Sequence, residues 1–334
     1  MSDLFRISQK GDYHTHLDGS IRPATFLELQ TSTEYADEAA VREDLCFKTG
    51  WGLPQCLKSF STTLTVLQKP ENVERVAYEL CQDMAADGVT DLEIRYCPSL
   101  HLTEGMDRED VVAAVYNGLE RANRELSNFE ARQIVTILRN YSAWDGGDFK
   151  DQVKRSVKEA ELLVELAVGS KDKLVVGIDI AGNEYDVPPE LLANPVRKAS
   201  RAGLNITIHA GEDPKNVKNV RTAVRMGAKR IGHGIAAALD TRLMQDLKDA
   251  DIFMEFCPTS NIHTGAINDY ADHPIGLFLE REIPFALCAD NTLLSNTSTS
   301  QEYRRMQKAF PMLLTDVILV ELAEQSLRGR FGSK

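Results

Sequence analysis

Short runs of apolar and β-branched residues, each closing on polar ones, recur along the chain. They are "DYHTHL" (12–17), "DLEIRYCP" (91–98), "RQIVTILRN" (132–140), "LVVGIDIAG" (174–182), "LNITIHAGE" (204–212), "KRIGHG" (229–234), "IFMEFCPTSN" (252–261) and "IPFALCADN" (283–291). Runs of this length and composition predict strands. Between them the apolar spacing changes to the helical period. In "PENVERVAYELCQDMAADG", Val73, Val76, Ala77, Leu80 and Met84 fall on one face and Gly88 supplies a stop. In "DREDVVAAVYNGLERANREL", Val111, Val115, Leu119, Ala122 and Leu126 form a stripe behind an acidic first turn. Parallel strands need helical crossovers, and eight such units close, so the alternation predicts a (β/α)8 TIM barrel. A doubly wound open sheet would normally carry Gly-x-Gly-x-x-Gly after one strand, and the chain has none. Residues 20–90 exceed a single crossover, so extra helices are expected between strands one and two, where they could roof the barrel mouth. With no internal repeat and no low-complexity linker, one barrel domain over residues 1–334 is expected.

Composition narrows the class. At 334 residues, 43% hydrophobic and 26% charged, the chain can bury a sizeable core. A formal net charge of −12 argues against sequence-independent nucleic-acid binding, which needs Lys and Arg to neutralise phosphates, and favours a small ligand. The opening "MSDLFRISQKGDYH" lacks a basic region followed by an apolar one, and no later stretch approaches the roughly 20 apolar residues that span a bilayer. The expectation is a soluble, cytoplasmic protein with no membrane partner. Six cysteines stand apart without a Cys-x-x-Cys pair, which removes the cysteine-based zinc patterns. Cys97, Cys257 and Cys288 lie in apolar runs, as small buried hydrophobes do.

Chemistry concentrates where the strands end. Barrels of this kind build active sites at the C-terminal ends of their strands. His14 and His16 end strand one, His209 ends strand five, His233 ends strand six and Asp290 ends strand eight. Imidazoles and a carboxylate around one barrel mouth form a nitrogen and oxygen donor set suited to zinc or another divalent transition metal. A metal-activated water also needs a group that delivers protons, and "HAGED" offers Glu212 just past a Gly211 turn. Spacing alone gives comparable weight to Glu212 as an acidic residue in the first turn of a helix over 213–227. Strand four ends "GIDIAGNE" without the lysine that bridges two metals in binuclear barrel hydrolases, so one metal per chain is expected. His101, His263 and His273 fall beyond strand ends and read as surface or lid residues.

Taken together, "HTHLDGS", "GIDIAGNE", "ITIHAGE", "RIGHG", "CPTSN" and "CADN" resemble the adenosine deaminase family of metal-dependent barrel hydrolases, in its bacterial form. They occur in that family's order from residue 14 to 291. The resemblance implies hydrolytic deamination of adenosine and deoxyadenosine, giving inosine or deoxyinosine plus ammonia, in purine salvage. It implies one Zn2+ per chain on His14, His16, His209 and Asp290. Glu212 matches the acid that protonates purine N1, and His233 matches the residue that orients the attacking hydroxide. Asp290 matches a ligand close enough to take part in proton movement. Asp18 and Gly182 match positions that read the ribose hydroxyl and the purine edge, with His16 near the sugar. Where many members carry a second aspartate, this chain has Asn291. That position meets purine N7, which only accepts, and an amide donates without titrating, so Asn291 is expected to keep the role.

Three readings follow. The first is an adenosine deaminase. The second keeps the chemistry but takes adenine, aminofutalosine or an N6-methylated AMP. Relatives of those kinds resemble "HLEG" or "HLNG" where this chain reads "HLDG", so Asp18 favours a nucleoside with a free sugar hydroxyl and would repel a 5′-phosphate. The third, a barrel kept only as a binding module, would require a missing ligand or acid, and every matched position is filled. A zinc deaminase class acting on cytidine and nucleic-acid bases uses His-x-Glu with Pro-Cys-x-x-Cys, whereas this chain has "CPTS".

Overall fold

Eight parallel strands follow the chain in order and hydrogen-bond in that order in one sheet, with helices between them. They are β1 (Lys10–His16), β2 (Val89–Tyr96), β3 (Glu130–Leu138), β4 (Val175–Ala181), β5 (Asn205–Ala210), β6 (Arg230–His233), β7 (Phe253–Phe256) and β8 (Phe285–Leu287). This is the (β/α)8 barrel architecture that the alternating pattern predicts. The computed structural model describes residues 9–31, 35–103, 105–139, 148–184 and 188–332, so Asn140, the last residue of the third predicted strand, lies outside the described residues. By its internal contacts the chain divides into two units, residues 1–133, 257–272 and 286–330, and residues 134–256, 273–285 and 331–334.

In the first unit, β1 pairs with β2 in parallel. The helix Pro70–Ala86 buries Val73, Val76, Ala77, Leu80 and Met84, the predicted stripe, and the helix Arg108–Glu125 buries Val111, Val115, Leu119 and Ala122, whereas Leu126, expected on the same stripe, is the half-buried C-cap. Asp107 and Asp110 close a capping box on the second helix, satisfying two N–H groups that a helix start leaves orphaned, a device worth about 1 kcal/mol. The long insertion after β1 holds three further helices, Pro23–Leu29, Glu38–Leu45 and Leu53–Leu64.

In the second unit, β4 to β7 pair in parallel around a core of Ile178, Ile180, Ile206, Ile208, Ile231 and Met254. A buried ion pair lies in it: Arg230 Nε donates to Glu255 Oε1 at 2.6 Å, and Thr207 Oγ1 donates to the same oxygen at 3.0 Å. The Arg230 guanidinium also stacks 3.5 Å over the Phe331 ring.

Two strands end earlier than the apolar runs suggest. β7 stops at Phe256 because Pro258, which cannot donate to a ladder, opens the helix Pro258–His263. β8 is only three residues long, and Asp290 beyond it takes φ +61°. The helix expected over 213–227 runs only Val217–Arg225, so Glu212 lies outside its first turn. All six cysteines are free thiols, five of them buried. Among the described residues no helix is long and apolar enough to cross a membrane.

The expectation that His101 and His273 are surface or lid residues is corrected. His101 is fully buried, with Nδ1 2.9 Å from Leu67 O, and burial pulls its pKa down to about 4. His273 packs edge-on against Phe256, its Nδ1 accepts from Ile275 N, and burial lowers it to about 3. Both are neutral structural histidines, each fixed through one ring nitrogen.

Candidate active site

The first unit holds His14 and His16 on β1 and the segment after β8. His16 N donates to Asp290 O at 2.7 Å and Asp290 N donates to His14 O at 2.8 Å, so the aspartate backbone is threaded between the two histidines. Its carboxylate consequently stands beside both rings, with Oδ1 3.7 Å from His14 Nε2 and 3.4 Å from His16 Nε2. Donor atoms on zinc at 2.0–2.2 Å in a tetrahedron are separated by about 3.3–3.6 Å, close to these spacings. The pair of imidazoles and the carboxylate therefore fit a divalent ion. Asp290 reaches this position in the left-handed region, a strained backbone for a non-glycine residue and one that clusters at functional sites.

Asp12, also in the first unit, holds this arrangement. Its fully buried carboxylate accepts from His14 N, Thr15 Oγ1, Ala289 N and Thr299 Oγ1 at 3.1, 2.9, 2.9 and 2.7 Å, tying β1 to the residue before Asp290. Ser260 hydrogen-bonds the Asp290 carboxyl itself. Just past β1, Asp18 is 5% exposed, and its Oδ1 has no hydrogen-bond partner among the described residues. Burial pushes its pKa up to about 7 against the opposing N–H groups of Asp18 and Gly19. Asn291 is buried against Gly19, where a Cβ would come within 1.7 Å of Asn291 Oδ1, so only glycine lets the amide lie there. Phe60, on the helix Leu53–Leu64, meets the His16 ring edge-on at 6.2 Å between centroids.

The second unit holds His209, Glu212, His233 and Gly182. His209 Nδ1 lies 3.0 Å from Asp179 Oδ1, and Asp179 is fully buried on β4. That carboxylate fixes the proton on Nδ1 and leaves Nε2 with a lone pair, the state a metal-ligating imidazole needs. The His233 ring lies 5.3 Å from that of His209, and His233 takes φ +63°. Glu212 is 6% exposed, beyond Gly211 at φ +73°. Its backbone N–H and that of Gly211 donate to Glu184 at 2.7 and 2.9 Å. Gly182, just past β4, takes φ +97°.

The chain matches the family model described as "Adenosine deaminase" over residues 9–334. It belongs to the adenosine deaminase family. It is accordingly a hydrolase acting on carbon–nitrogen bonds. Among relatives, it is 34% identical over 307 residues to the adenosine deaminase of Clostridium perfringens, covering 90% of this chain and 88% of that one. It is 34% identical over 333 residues to adenosine deaminase 1 of Streptomyces coelicolor, covering 94% and 81%. Among solved structures it resembles the arabidopsis N6-mAMP deaminase, with TM-score 0.83 and 26% identity over 100% of this chain and 96% of that one.

Set against this adenosine deaminase family framework, the sequence pattern alone does not single out several residues of the two half-sites. Asp179 and Glu184 stand inside "GIDIAGNE", where the resemblance assigns a role to Gly182 alone. Asp12 continues the every-second-residue series of His14, His16 and Asp18 backwards, a signal that the alternation of strand side chains carries in the sequence. Ser260 carries no such signal. Asp179→Asn is expected to weaken divalent-metal retention by about 10–100-fold in competition with a chelating dye, the usual cost of losing a carboxylate behind a ligating histidine. Unchanged retention would count against His209 as a ligand.

Proposed function

We propose that the chain works as one barrel domain that deaminates adenosine and deoxyadenosine to inosine and deoxyinosine plus ammonia, in cytoplasmic purine salvage. His14, His16, His209 and Asp290 would hold one zinc ion per chain. Bound there, zinc lowers the pKa of a coordinated water and so supplies a nucleophile near neutral pH. The remaining work falls to protein groups. Glu212 donates its proton to purine N1, which drains electron density from C6 and makes that carbon open to attack. His233 orients the attacking water. Asp290 is near enough to relay its proton towards the departing amine. Water adds at C6, the C6–N bond breaks, and the amino group leaves as ammonia.

Substrate placement rests on Asp18. Its buried oxygen without a partner is an acceptor whose desolvation is best offset by a hydroxyl donor, and a sugar hydroxyl supplies one. His16 would flank the same sugar, the Gly182 backbone would face the purine edge, and the Asn291 amide would donate to N7. The likeness to the N6-mAMP deaminase keeps a nucleotide or another 6-aminopurine as the competing substrate class. Ammonia release from adenosine, adenine and AMP, measured side by side, decides between them. Adenosine is expected to give the highest kcat/KM, and a higher value for adenine or AMP refutes the assignment.

A further inference from the structure

Glu184 stands just past β4 and is 3% exposed. Its carboxylate gathers the loop that follows β5. Oε1 accepts from Glu212 N at 2.7 Å and from Asp213 N at 3.4 Å, while Oε2 accepts from Gly211 N and from Asn219 Nδ2, both at 2.9 Å. Successive backbone N–H groups converging on one anion form a nest, and charge-assisted bonds of this kind are about twice as strong as neutral ones. Gly211 makes the nest geometrically accessible. Its φ of +73° turns the chain, and a Cβ there would stand 2.5 Å from Val220 Cγ2. Arg139 lies in the same unit, fully buried, with Nη2 donating to His209 O at 2.5 Å. Its charge acts on Glu184, Asp179 and Glu212, so the two buried glutamates share a cation.

We propose that Glu184 is the positioning residue for the proton donor: by holding the 211–213 backbone it presents the Glu212 carboxyl to purine N1 in one orientation. This rests on the proposed role of Glu212. A displacement of about 1 Å at a reacting group costs about 100-fold in rate, so such a clamp belongs to catalysis as well as to stability.

Glu184→Gln keeps shape but replaces one acceptor oxygen by a donor amide, so either the Gly211 N–H bond or the Glu212 and Asp213 N–H bonds must break. The test compares Glu184→Gln, Glu212→Gln and the double variant for kcat and KM with adenosine, for zinc per chain and for Tm. Glu184→Gln is expected to lower kcat about 10–100-fold with KM changed less than about threefold and zinc retained. Because both residues act through one group, the double variant is expected to be no slower than Glu212→Gln by more than about twofold. Additive losses, loss of zinc or an unchanged kcat in Glu184→Gln overturn the proposal. Full turnover in Glu212→Gln is a separate failure, since it removes the proton donor itself and the clamp with it. If Glu184→Gln does not fold, Asn219→Ala carries the test: a smaller loss confined to kcat supports the clamp, and no loss overturns it.

Discussion

Glu212→Gln is expected to lower kcat for adenosine by about 10²–10⁴-fold, the range a positioned general acid contributes, while zinc content stays at the wild-type level. The amide fills the same volume but cannot give up a proton at N1, so the purine ring stays electron-rich at C6 and resists attack. Glu212 is buried, and its backbone is fixed on a second carboxylate, Glu184. KM should change little, because the lost interaction strengthens only as the transition state forms. The measurement is steady-state ammonia release together with metal analysis of the same preparation. Comparable turnover in the variant would overturn the assignment of Glu212 as the acid.

Stripping the divalent ion with a chelator is expected to reduce turnover by at least about three orders of magnitude, since a free water has a pKa near 15.7 against about 7 on zinc. One equivalent of zinc per chain should restore it. Stripping should also lower Tm, because an ion that binds only the folded state stabilises it by about 4 kcal/mol when present at roughly a thousand times its Kd. His209→Ala and Asp290→Ala are expected to resemble the stripped protein and to resist rescue by added zinc. Full turnover in metal-free protein would sink the proposed ligand set. The physical ground lies in the geometry within each unit. His14 and His16 each direct Nε2 to within 3.7 Å of Asp290 Oδ1, and Asp179 holds His209 with its Nε2 lone pair available.

Much of this was legible in the chain. Eight apolar runs with helical patterns between them were enough for the barrel, because a buried parallel strand needs a continuous apolar segment and its crossover needs a 3.6-residue stripe. Strand ends were less legible. β7 and β8 stop early for local reasons, a proline at a helix start and a left-handed aspartate, which an apolar run does not reveal. The sequence does not place His101 and His273 inside, because burial of a histidine depends on what folds over it. One ring nitrogen on Leu67 O, or one accepting from Ile275 N, is enough to settle a neutral imidazole inside.

For the site, sequence order named the residues whose chemistry is rare, histidines and acids closing apolar runs. It did not name the carboxylates that hold them. Asp12, Asp179 and Glu184 act through contacts of 2.7 to 3.4 Å with groups 2 to 287 positions away along the chain. Sequence by itself determined the fold class, the family and the candidate donors, because these depend on residue type and local period. Only tertiary structure decided which nitrogen of His209 carries its proton, how Asp290 is threaded between His14 and His16, and what fixes the Glu212 loop. Hydrogen bonds orient a side chain through partners that chain order does not bring together, and folding alone supplies those partners.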